Sequence, residues 1–289
     1  MKKLFSVVLA GVILSSLAAS VSASDIGECK GIVPKVPEGQ ITIDGKMDEA
    51  IWTQALQVEI NYLNIGVEGD GYGTAYMLWA DGSYYLCVNV IDSDVVLSEE
   101  DVQMSTPWTT DSVEMFFDFG NQNAGDIHQF RVDYSGFPSY YMNQSGDAHA
   151  YGPVDAAPYF DEYDAELTTT GYCIEMRVNL EKYGIKEGDS IGLQLQINNI
   201  TQDSPSATVS VYNMESSLGA TSWQSDSYDY ITLGAELEVE EPAVDEPAEE
   251  VVDAPAADTP VTADAGFVAA AAVMAVAAGV VLSKKLLFQ

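Results

Sequence analysis

Trp108 and Glu114 form the pair of residues whose types and spacing are best suited to contact a ligand. They lie in the stretch 107–120, PWTTDSVEMFFDFG, where a Pro-Trp pair in a polar loop precedes a strand-like alternation. The alternation puts Glu114 on the face opposite the apolar residues. An indole face can stack on the C–H face of a sugar ring, and a carboxylate accepts hydrogen bonds from its hydroxyls. The alternative is that Trp108 covers the core edge and Glu114 is solvated.

Two further polar residues could complete such a site. Arg131 lies on the strand-like run Ile127–Tyr134 and would share a face with Glu114 if that strand pairs with the preceding one. A surface ion pair is the alternative for this arginine. Gln196, or else Gln194, lies on the amide-rich face of a later strand, which is either solvated or a hydrogen-bonding wall.

The four tryptophans fall into two groups. Trp52 lies in a short helical turn, 47–53, that would fold back on the sheet, and Trp79 lies beside a hairpin turn; both positions favour packing in the core or at its edge. Trp223, like Trp108, lies in a polar loop rather than in an apolar alternation. The sequence therefore predicts two core tryptophans and two that are available to a ligand.

Asp92 and Asp94 end a strand-like run and are the first candidates for a metal site. Two carboxylates at a strand end are explained either by a solvated turn or by a calcium ion, which prefers oxygen ligands. The residues alone leave both explanations open.

The cysteines number three, Cys29, Cys87 and Cys173, so at least one thiol is free. Cys87 and Cys173 lie inside strand-like runs and are most simply interpreted as small buried apolar residues. A bridge between these two stays open.

The elements that must position these residues are strands. The run 74–92 contains the clearest hairpin, with Asp81-Gly82 as its turn. About a dozen strand-like runs follow one another with turn signals every eight to twelve residues, which predicts an all-β fold, an antiparallel, jelly-roll-like β-sandwich. We expect residues 24–38 to be a loose lead-in, 41–43 a short strand, and 135–161 a long aromatic loop, in which a short strand at 139–143 stays open.

The ends of the chain predict targeting segments. Residues 1–23 have the basic start, apolar run and small-residue cleavage site of a secretory signal. Residues 235–265 are rich in Glu, Asp, Pro and Ala and predict an extended, disordered acidic stalk. Residues 266–283 predict a transmembrane helix, and the lysines of the tail 284–289 predict a cytoplasmic end. A degenerate sorting signal at 259–263 leaves wall anchoring open. We expect a secreted, surface-anchored domain formed by residues 24–234.

The charge narrows the class of partner. The chain carries 45 Asp and Glu against 11 Lys and Arg, a formal net charge of -34. Such a field argues against nucleic acid and anionic polymers as partners. It is compatible with a neutral ligand and with bound calcium, which would offset part of the repulsion.

Four stretches together resemble a family 9 carbohydrate-binding module. They are IDGKMDEAIW (43–52), LWADGSYYLCVNVIDSDV (78–95), PWTTDSVEMFFDFGN (107–121) and GLQLQIN (192–198), in the family's order. The resemblance implies a calcium-bearing β-sandwich that holds the ends of plant-type glucan or xylan chains between two tryptophans. On this chain the implied sugar-binding residues are Trp108, Glu114, Arg131, Gln196 (or Gln194) and Trp223. The stretch around Trp223 departs from the family's usual ending.

Three other functions compete with non-catalytic carbohydrate binding. Related sandwich domains bind haem, for which the chain offers only His128 and His149, and the position of His128 favours a structural role. A glycosidase needs two carboxylates at a set separation, which sequence does not reveal. A structural surface protein that keeps the fold without binding sugar is the third alternative.

Overall fold

The fold is carried by β-strands. The computed structural model describes residues 27–80, 82–96, 99–120, 127–143, 148–201, 209–219, 222–223 and 228–236. Helices in this part of the chain are short, with α1 at Glu100–Ser105, α2 at Gly152–Ala156 and 3-10 turns elsewhere. The strands are β1 (Cys29–Lys35), β2 (Leu56–Ile65), β3 (Tyr72–Ala80), β4 (Ser83–Ile91), β5 (Ser112–Asp118), β6 (Ile127–Asp133), β7 (Pro138–Met142), β8 (Ala148–Tyr151), β9 (Glu162–Leu167), β10 (Gly171–Asn179), β11 (Ser190–Ile200), β12 (Val209–Met214) and β13 (Asp229–Glu236).

The strands follow one hydrogen-bonded path, β8-β7-β6-β5-β11-β12-β2-β3-β4-β10-β9. Every neighbouring pair on this path is antiparallel. β13 adds an antiparallel pairing to β11, whereas β1 pairs with β13 and β3 in parallel.

The path folds back on itself, so that its two halves enclose one core. The inward residues of β5 and β11 pack in the same cluster as those of β3, β4 and β10. The members from these strands include Val113, Met115, Phe117, Leu193, Leu195, Met77, Leu86 and Ile174. This two-layer packing confirms the all-β, sandwich-like prediction.

The two tryptophans predicted for the core are buried, Trp52 with 1% and Trp79 with 3% of its surface exposed. Trp79 donates its indole N–H to the carbonyl of Gly234 at 3.0 Å. Trp52 packs in a second cluster with Cys87 and Cys173, whose thiols are free and whose Sγ atoms lie 3.4 Å apart. The prediction that these cysteines are buried is confirmed.

Two local predictions are wrong and a third is right only in part. Residues 29–35 form β1 rather than a loose lead-in, and the parallel pairings of this strand break the purely antiparallel pattern. Residues 41–43 form no strand. The segment 135–161 contains β7, which matches the short strand considered at 139–143, but it also contains β8 and α2, so it is not one long loop. β1 and β8 form by pairing with β13 and β7, and such pairings are not visible in local periodicity.

The predicted signal (1–23), transmembrane segment (266–283) and tail (284–289) lie outside the described residues. β13 ends at Glu236, so it runs past the predicted start of the linker 235–265. Among the described residues, no helix has the length and apolar character needed to cross a membrane.

Candidate functional site

A row of six residues crosses the sheet on the face that points away from the core. Each residue lies directly opposite the next on an adjacent strand, from β7 through β6, β5, β11 and β12 to β2. Side chains alternate between the two faces of a strand, and the neighbours of Glu114 point into the core, so the row points outward. We call it the central row; it consists of Ser139, Arg131, Glu114, Gln196, Asn213 and Tyr62.

Glu114 is buried, with 1% of its surface exposed. Its Oε1 accepts hydrogen bonds from Nε of Arg131 at 2.7 Å and Nδ2 of Asn198 at 2.5 Å, while Nη2 of Arg131 lies 2.5 Å away. Its Oε2 accepts from Nε2 of Gln129 at 2.5 Å. The predicted shared face of Glu114 and Arg131 is confirmed, and the solvated alternative for Glu114 is wrong.

Arg131 is held rigidly by these bonds. It is 4% exposed, and its Nη1 also donates to Oγ of Ser139 at 3.1 Å. A guanidinium carries five N–H groups in a fixed fork. The contacts with Glu114 and Ser139 use three of them, so two have no partner in the described part of the chain.

Gln196, rather than Gln194, lies in the central row. Its Nε2 donates to Oδ1 of Asn198 at 2.8 Å, and its Oε1 accepts from the hydroxyl of Ser222. Gln194 pairs opposite Phe116, outside the row, and its Oε1 accepts the N–H of Leu195. The amide of Gln196 therefore braces both the polar floor and the loop that leads to Trp223.

Trp108 and Trp223 flank the central row and remain exposed by 48% and 41%. Trp108 lies in the 3-10 turn Pro107–Thr109, which leads into the Ser112 end of β5 and is pinned by buried Pro107. Trp223 stands edge-on against Phe116 and Tyr141, with centroid distances of 5.1 and 5.0 Å and interplanar angles of 85° and 88°. Phe116 follows Glu114 on the same face, so the two indoles border the row from opposite sides.

A cavity of about 360 Å³ lies at this place, near the lower end of the size range of small-molecule sites. It brings together three of the predicted residues, Trp108, Arg131 and Trp223, whereas Glu114 and Gln196 do not line it. Its lining consists of Trp108, Arg131, Ser139, Tyr140, Tyr141, Asn143, His149, Tyr151 and Trp223.

The β7–β8 hairpin forms a wall of this cavity that the sequence analysis did not identify. The imidazole of His149 lies 4.2 Å from the ring of Tyr141, and its Nδ1 is 3.4 Å from the hydroxyl of Tyr151. The signal was the density of aromatic residues in 135–161, which was interpreted as loop composition.

A group of three carboxylates, Asp70, Asp92 and Asp94, lies at the end of β4, with ligand oxygens within 4.8 Å of one another. Asp92 is 3% exposed, so the solvated-turn explanation is wrong for it. Its Oδ2 and the nearby buried Oδ1 of Asn199 have no hydrogen-bond partner in the described part of the chain. Asn199 donates from Nδ2 to the carbonyl of Asp70 at 2.5 Å, which ties the two groups together.

Two nearby carboxyls have raised pKa values. Burial, together with the charges of Asp94 and Asp70, raises the pKa of Asp92 to about 6. Burial raises the pKa of Asp111 to about 7, although its oxygens accept the N–H groups of Val96 and Ile200. A cluster of partly unpaired carboxyl and amide oxygens fits Ca²⁺, which takes six to eight oxygen ligands.

His128 has the structural role that its position predicted. Its Nδ1 lies 2.7 Å from the hydroxyl of Tyr140, and its ring packs against Phe119 and Tyr183 at 5.0 and 4.8 Å. The imidazole is therefore part of an aromatic layer under the sheet rather than a wall of the cavity.

The fold and the site together define a β-sandwich binding module. The model of the family described as "Carbohydrate family 9 binding domain-like" matches residues 43–229, and the chain belongs to this family. This confirms the resemblance seen in the sequence.

Solved structures with the same fold include a family 9 module from Caldicellulosiruptor kristjanssonii, in complex with cellotriose and with glucose. Both are 24% identical to this chain. The TM-scores are 0.54 and 0.55, with 72% and 73% of this chain and 95% and 100% of theirs covered.

Curated relatives include the exoglucanase XynX of Acetivibrio thermocellus, 30% identical over 169 residues, and the endo-1,4-beta-xylanase A of Thermoanaerobacterium saccharolyticum, 29% identical over 169 residues. Each match covers 57% of this chain. The chain spans 14% and 13% of the length of these two relatives, so the similarity concerns one module of each.

Proposed function

We propose that this domain binds carbohydrate without catalysing its conversion, by stacking a sugar ring between Trp108 and Trp223. The observation that carries the proposal is the cavity between these two exposed indoles, lined by a buried arginine two of whose N–H groups have no partner among the described residues. Sugar hydroxyls would accept hydrogen bonds from Arg131 while the C–H faces of the ring contact the indoles. Family 9 structures with cellotriose and glucose, and relatives named as xylanases, favour glucan- or xylan-type oligosaccharides.

Glu114 and Gln196 act in this proposal as positioning residues. The carboxylate of Glu114 holds the guanidinium of Arg131 in one orientation, and charge-assisted bonds of this kind are strong and directional. Gln196 braces the loop of Trp223 through Ser222. A preformed floor lowers the ordering cost of binding, although wet, shallow sugar sites have modest affinity.

The residues that line the cavity support binding rather than hydrolysis. Most glycoside hydrolases act through a pair of Asp or Glu side chains that flank the scissile bond. The described residues around this cavity include neither Asp nor Glu. The nearest carboxylate in the central row, Glu114, is bound to Arg131.

The test is calorimetric titration of the purified protein with cellobiose, xylobiose and glucose. We expect Trp108→Ala to lower the affinity at least tenfold, since truncation of a stacking aromatic anchor typically removes more than 1.4 kcal/mol of binding free energy. Trp108 is half exposed, so the thermal transition should stay in place. Leu167→Ala, an exposed apolar residue on β9, is the matched control. Equal heat from the Trp108→Ala variant and the unsubstituted protein would contradict the proposal.

We further propose that Asp70, Asp92 and Asp94 bind a structural calcium ion, as the family resemblance implies. The ion would neutralise the charge of Asp92 and would be a ligand partner for the buried oxygens of Asp92 and Asn199. Added calcium should then raise the melting temperature, and chelation should lower it. Asp92→Asn should remove most of this response, whereas Glu99→Gln, a carboxylate that is not part of the cluster, should keep it. An unchanged calcium response in Asp92→Asn would place the ion elsewhere.

Display at the bacterial surface remains our proposal from the sequence alone. It rests on the signal-like residues 1–23, the acidic segment 235–265 and the apolar run 266–283. Detection of the intact chain in washed membranes or in the wall fraction, against the medium, would distinguish the two anchoring routes from release.

A further inference from the structure

Trp108 lies on a segment of the chain, residues 96–111, whose two ends meet at a buried aspartate. Asp111 comes directly before β5, and none of its surface is exposed. Its Oδ2 accepts the N–H of Val96 at 2.6 Å, so the carboxylate joins the first residue of the segment to the last. Its Oδ1 accepts the N–H of Ile200, at the end of β11, at 2.7 Å. One carboxylate thus closes the base of the Trp108 segment and ties it to the sheet.

Trp223 lies on a second segment, residues 217–229, whose ends meet in the same way. Asp229 is the first residue of β13 and also has no exposed surface. Its Oδ2 accepts the N–H of Ser217 at 2.9 Å, and its Oδ1 accepts a hydrogen bond from the hydroxyl of the same serine. On the side of the sheet, its Oδ2 lies 2.7 Å from Nζ of Lys30 on β1. One carboxylate therefore closes the base of the Trp223 segment as well.

Both closures are placed by β11, the strand that carries Gln196 of the central row. Ile200, which is bonded to Asp111, lies at one end of β11. Leu193, nearer the other end, pairs directly opposite Asp229. These two residues of β11 are seven positions apart, which corresponds to about 23 Å along a strand. A single rigid strand thus fixes the distance between the bases of the two tryptophan segments.

A carboxylate suits this position because both of its oxygens accept hydrogen bonds. An asparagine side chain has nearly the same shape, but it has one acceptor oxygen and an NH2 group that only donates. It would leave at least one of the donors at each base without a partner, and an unpaired buried N–H group is costly. The charge and the acceptors of the aspartates, rather than their volume, therefore keep the two segments closed.

We propose that Asp111 and Asp229 are positioning residues of the sugar site, which hold Trp108 and Trp223 at the separation that a sugar ring requires before the ligand arrives. This inference rests on the proposed function, because the aspartates act on the sugar only through the two indoles. Neither aspartate lines the cavity, so neither would touch the sugar. With both bases closed, binding does not have to order the segments, and this cost is absent from the free energy of binding.

The test is calorimetric titration of cellobiose into the purified protein and into Asp111→Asn and Asp229→Asn, with calcium present and at a temperature where each variant is folded. We expect each variant to bind about fivefold more weakly, the factor that corresponds to ordering one large side chain on binding. The loss should lie in the binding entropy, because the same contacts form in the complex. A role confined to stability would lower the melting temperature only, and an unchanged Kd in a folded variant would overturn the role of that aspartate.

Glu175→Gln is the matched control. Glu175, on β10, is also fully buried, and its Oε2 accepts the N–H groups of Asp44 and Gly45, which belong to neither tryptophan segment. This variant should keep the full affinity for cellobiose, whatever its melting temperature. An equal loss of affinity would overturn the proposal, because the effect would then follow from any buried carboxylate rather than from the closed segments.

A milder variant covers the case in which Asp229→Asn does not fold. Ser217 is exposed, and Ser217→Ala removes only the hydrogen bond of its hydroxyl to Asp229, while the bond of its backbone N–H stays in place. Since part of the closure is lost, cellobiose should bind about twofold to threefold more weakly. An unchanged affinity would contradict the positioning role of Asp229.

The proposed function and this inference fail differently. If Trp108→Ala leaves cellobiose binding intact, the clamp is wrong and the positioning roles fall with it. If Trp108→Ala removes binding, whereas folded Asp111→Asn and Asp229→Asn bind cellobiose as the unsubstituted protein does, the clamp stands and the positioning roles are overturned.

Discussion

Glu114 and Glu175 are both buried glutamates in strands, yet their surroundings differ completely. Glu114 has a guanidinium and two amides on its oxygens. Glu175, on β10, accepts the N–H groups of Asp44 and Gly45 on Oε2, while its Oε1 has no hydrogen-bond partner among the described residues. Burial raises the pKa of Glu175 to about 7. Burial of a carboxylate is thus no guide to function until its partners are known.

Breaking the Glu114 network should have the largest effect. Glu114→Ala leaves the guanidinium of Arg131 buried without its counter-ion, which typically destabilises a protein by about 3–5 kcal/mol. Urea denaturation monitored by tryptophan fluorescence measures the loss. A double variant, Glu114→Leu with Arg131→Met, should recover most of it because no unpaired charge remains. A single variant as stable as the unsubstituted protein would mean that the pair contributes nothing to stability.

The raised pKa of Glu175 predicts that the stability of the protein depends on pH. The folded-state pKa of about 7 lies above the ordinary value of 4.5 for a glutamate, so the folded state holds this proton more tightly than the unfolded state. Its contribution to stability is complete below about pH 4.5 and is lost as pH rises towards and through 7. Glu175→Gln should therefore be more stable than the unsubstituted protein at pH 8, by up to about 3 kcal/mol, and equal to it near pH 4.5.

Unfolding free energies of both proteins at pH 4.5, 6 and 8 test this point. Asp92 and Asp111 titrate in the same direction, so only the difference between the two proteins isolates Glu175. Calcium must be chelated in every sample. A constant difference across this range would show that folding does not raise the pKa of Glu175.

The smallest effect concerns one supporting amide of Glu114. Asn198→Ala removes a donor to the Oε1 of Glu114 and the acceptor of Gln196, while the ion pair with Arg131 survives. Loss of a hydrogen bond to a charged group costs about 2 kcal/mol. The same denaturation assay should place this variant between the unsubstituted protein and Glu114→Ala. A loss as large as that of Glu114→Ala would mean that the amide, and not the arginine, holds the carboxylate.

Strand alternation was sufficient to predict much of the site. It predicted that Glu114 and Arg131 share a face if their strands pair, because the apolar neighbours of each had to point into the core. Loop composition separated Trp108 and Trp223 from the two core tryptophans. These predictions rest on local patterns, which a sequence displays directly.

The rest of the site depends on pairings that local patterns do not encode. Tyr62 and Asn213 meet through the register of β2 and β12, which lie far apart in the chain. His149 and Tyr151 come from a four-residue strand whose turn-rich surroundings hide its periodicity. β1 pairs in parallel with a strand at the other end of the domain, so no hairpin signal marks it.

That parallel pairing has a mechanical consequence. β1 and β13 run side by side in the same direction, and β13 is also bonded to β11 on its other edge. A pull on the chain beyond Glu236 would load both rows of hydrogen bonds along the strand axis, in shear. The bonds would then share the load and break together rather than one at a time. If the domain is tethered at this end, the hydrogen bonds on both sides of β13 would together resist a force transmitted through the tether.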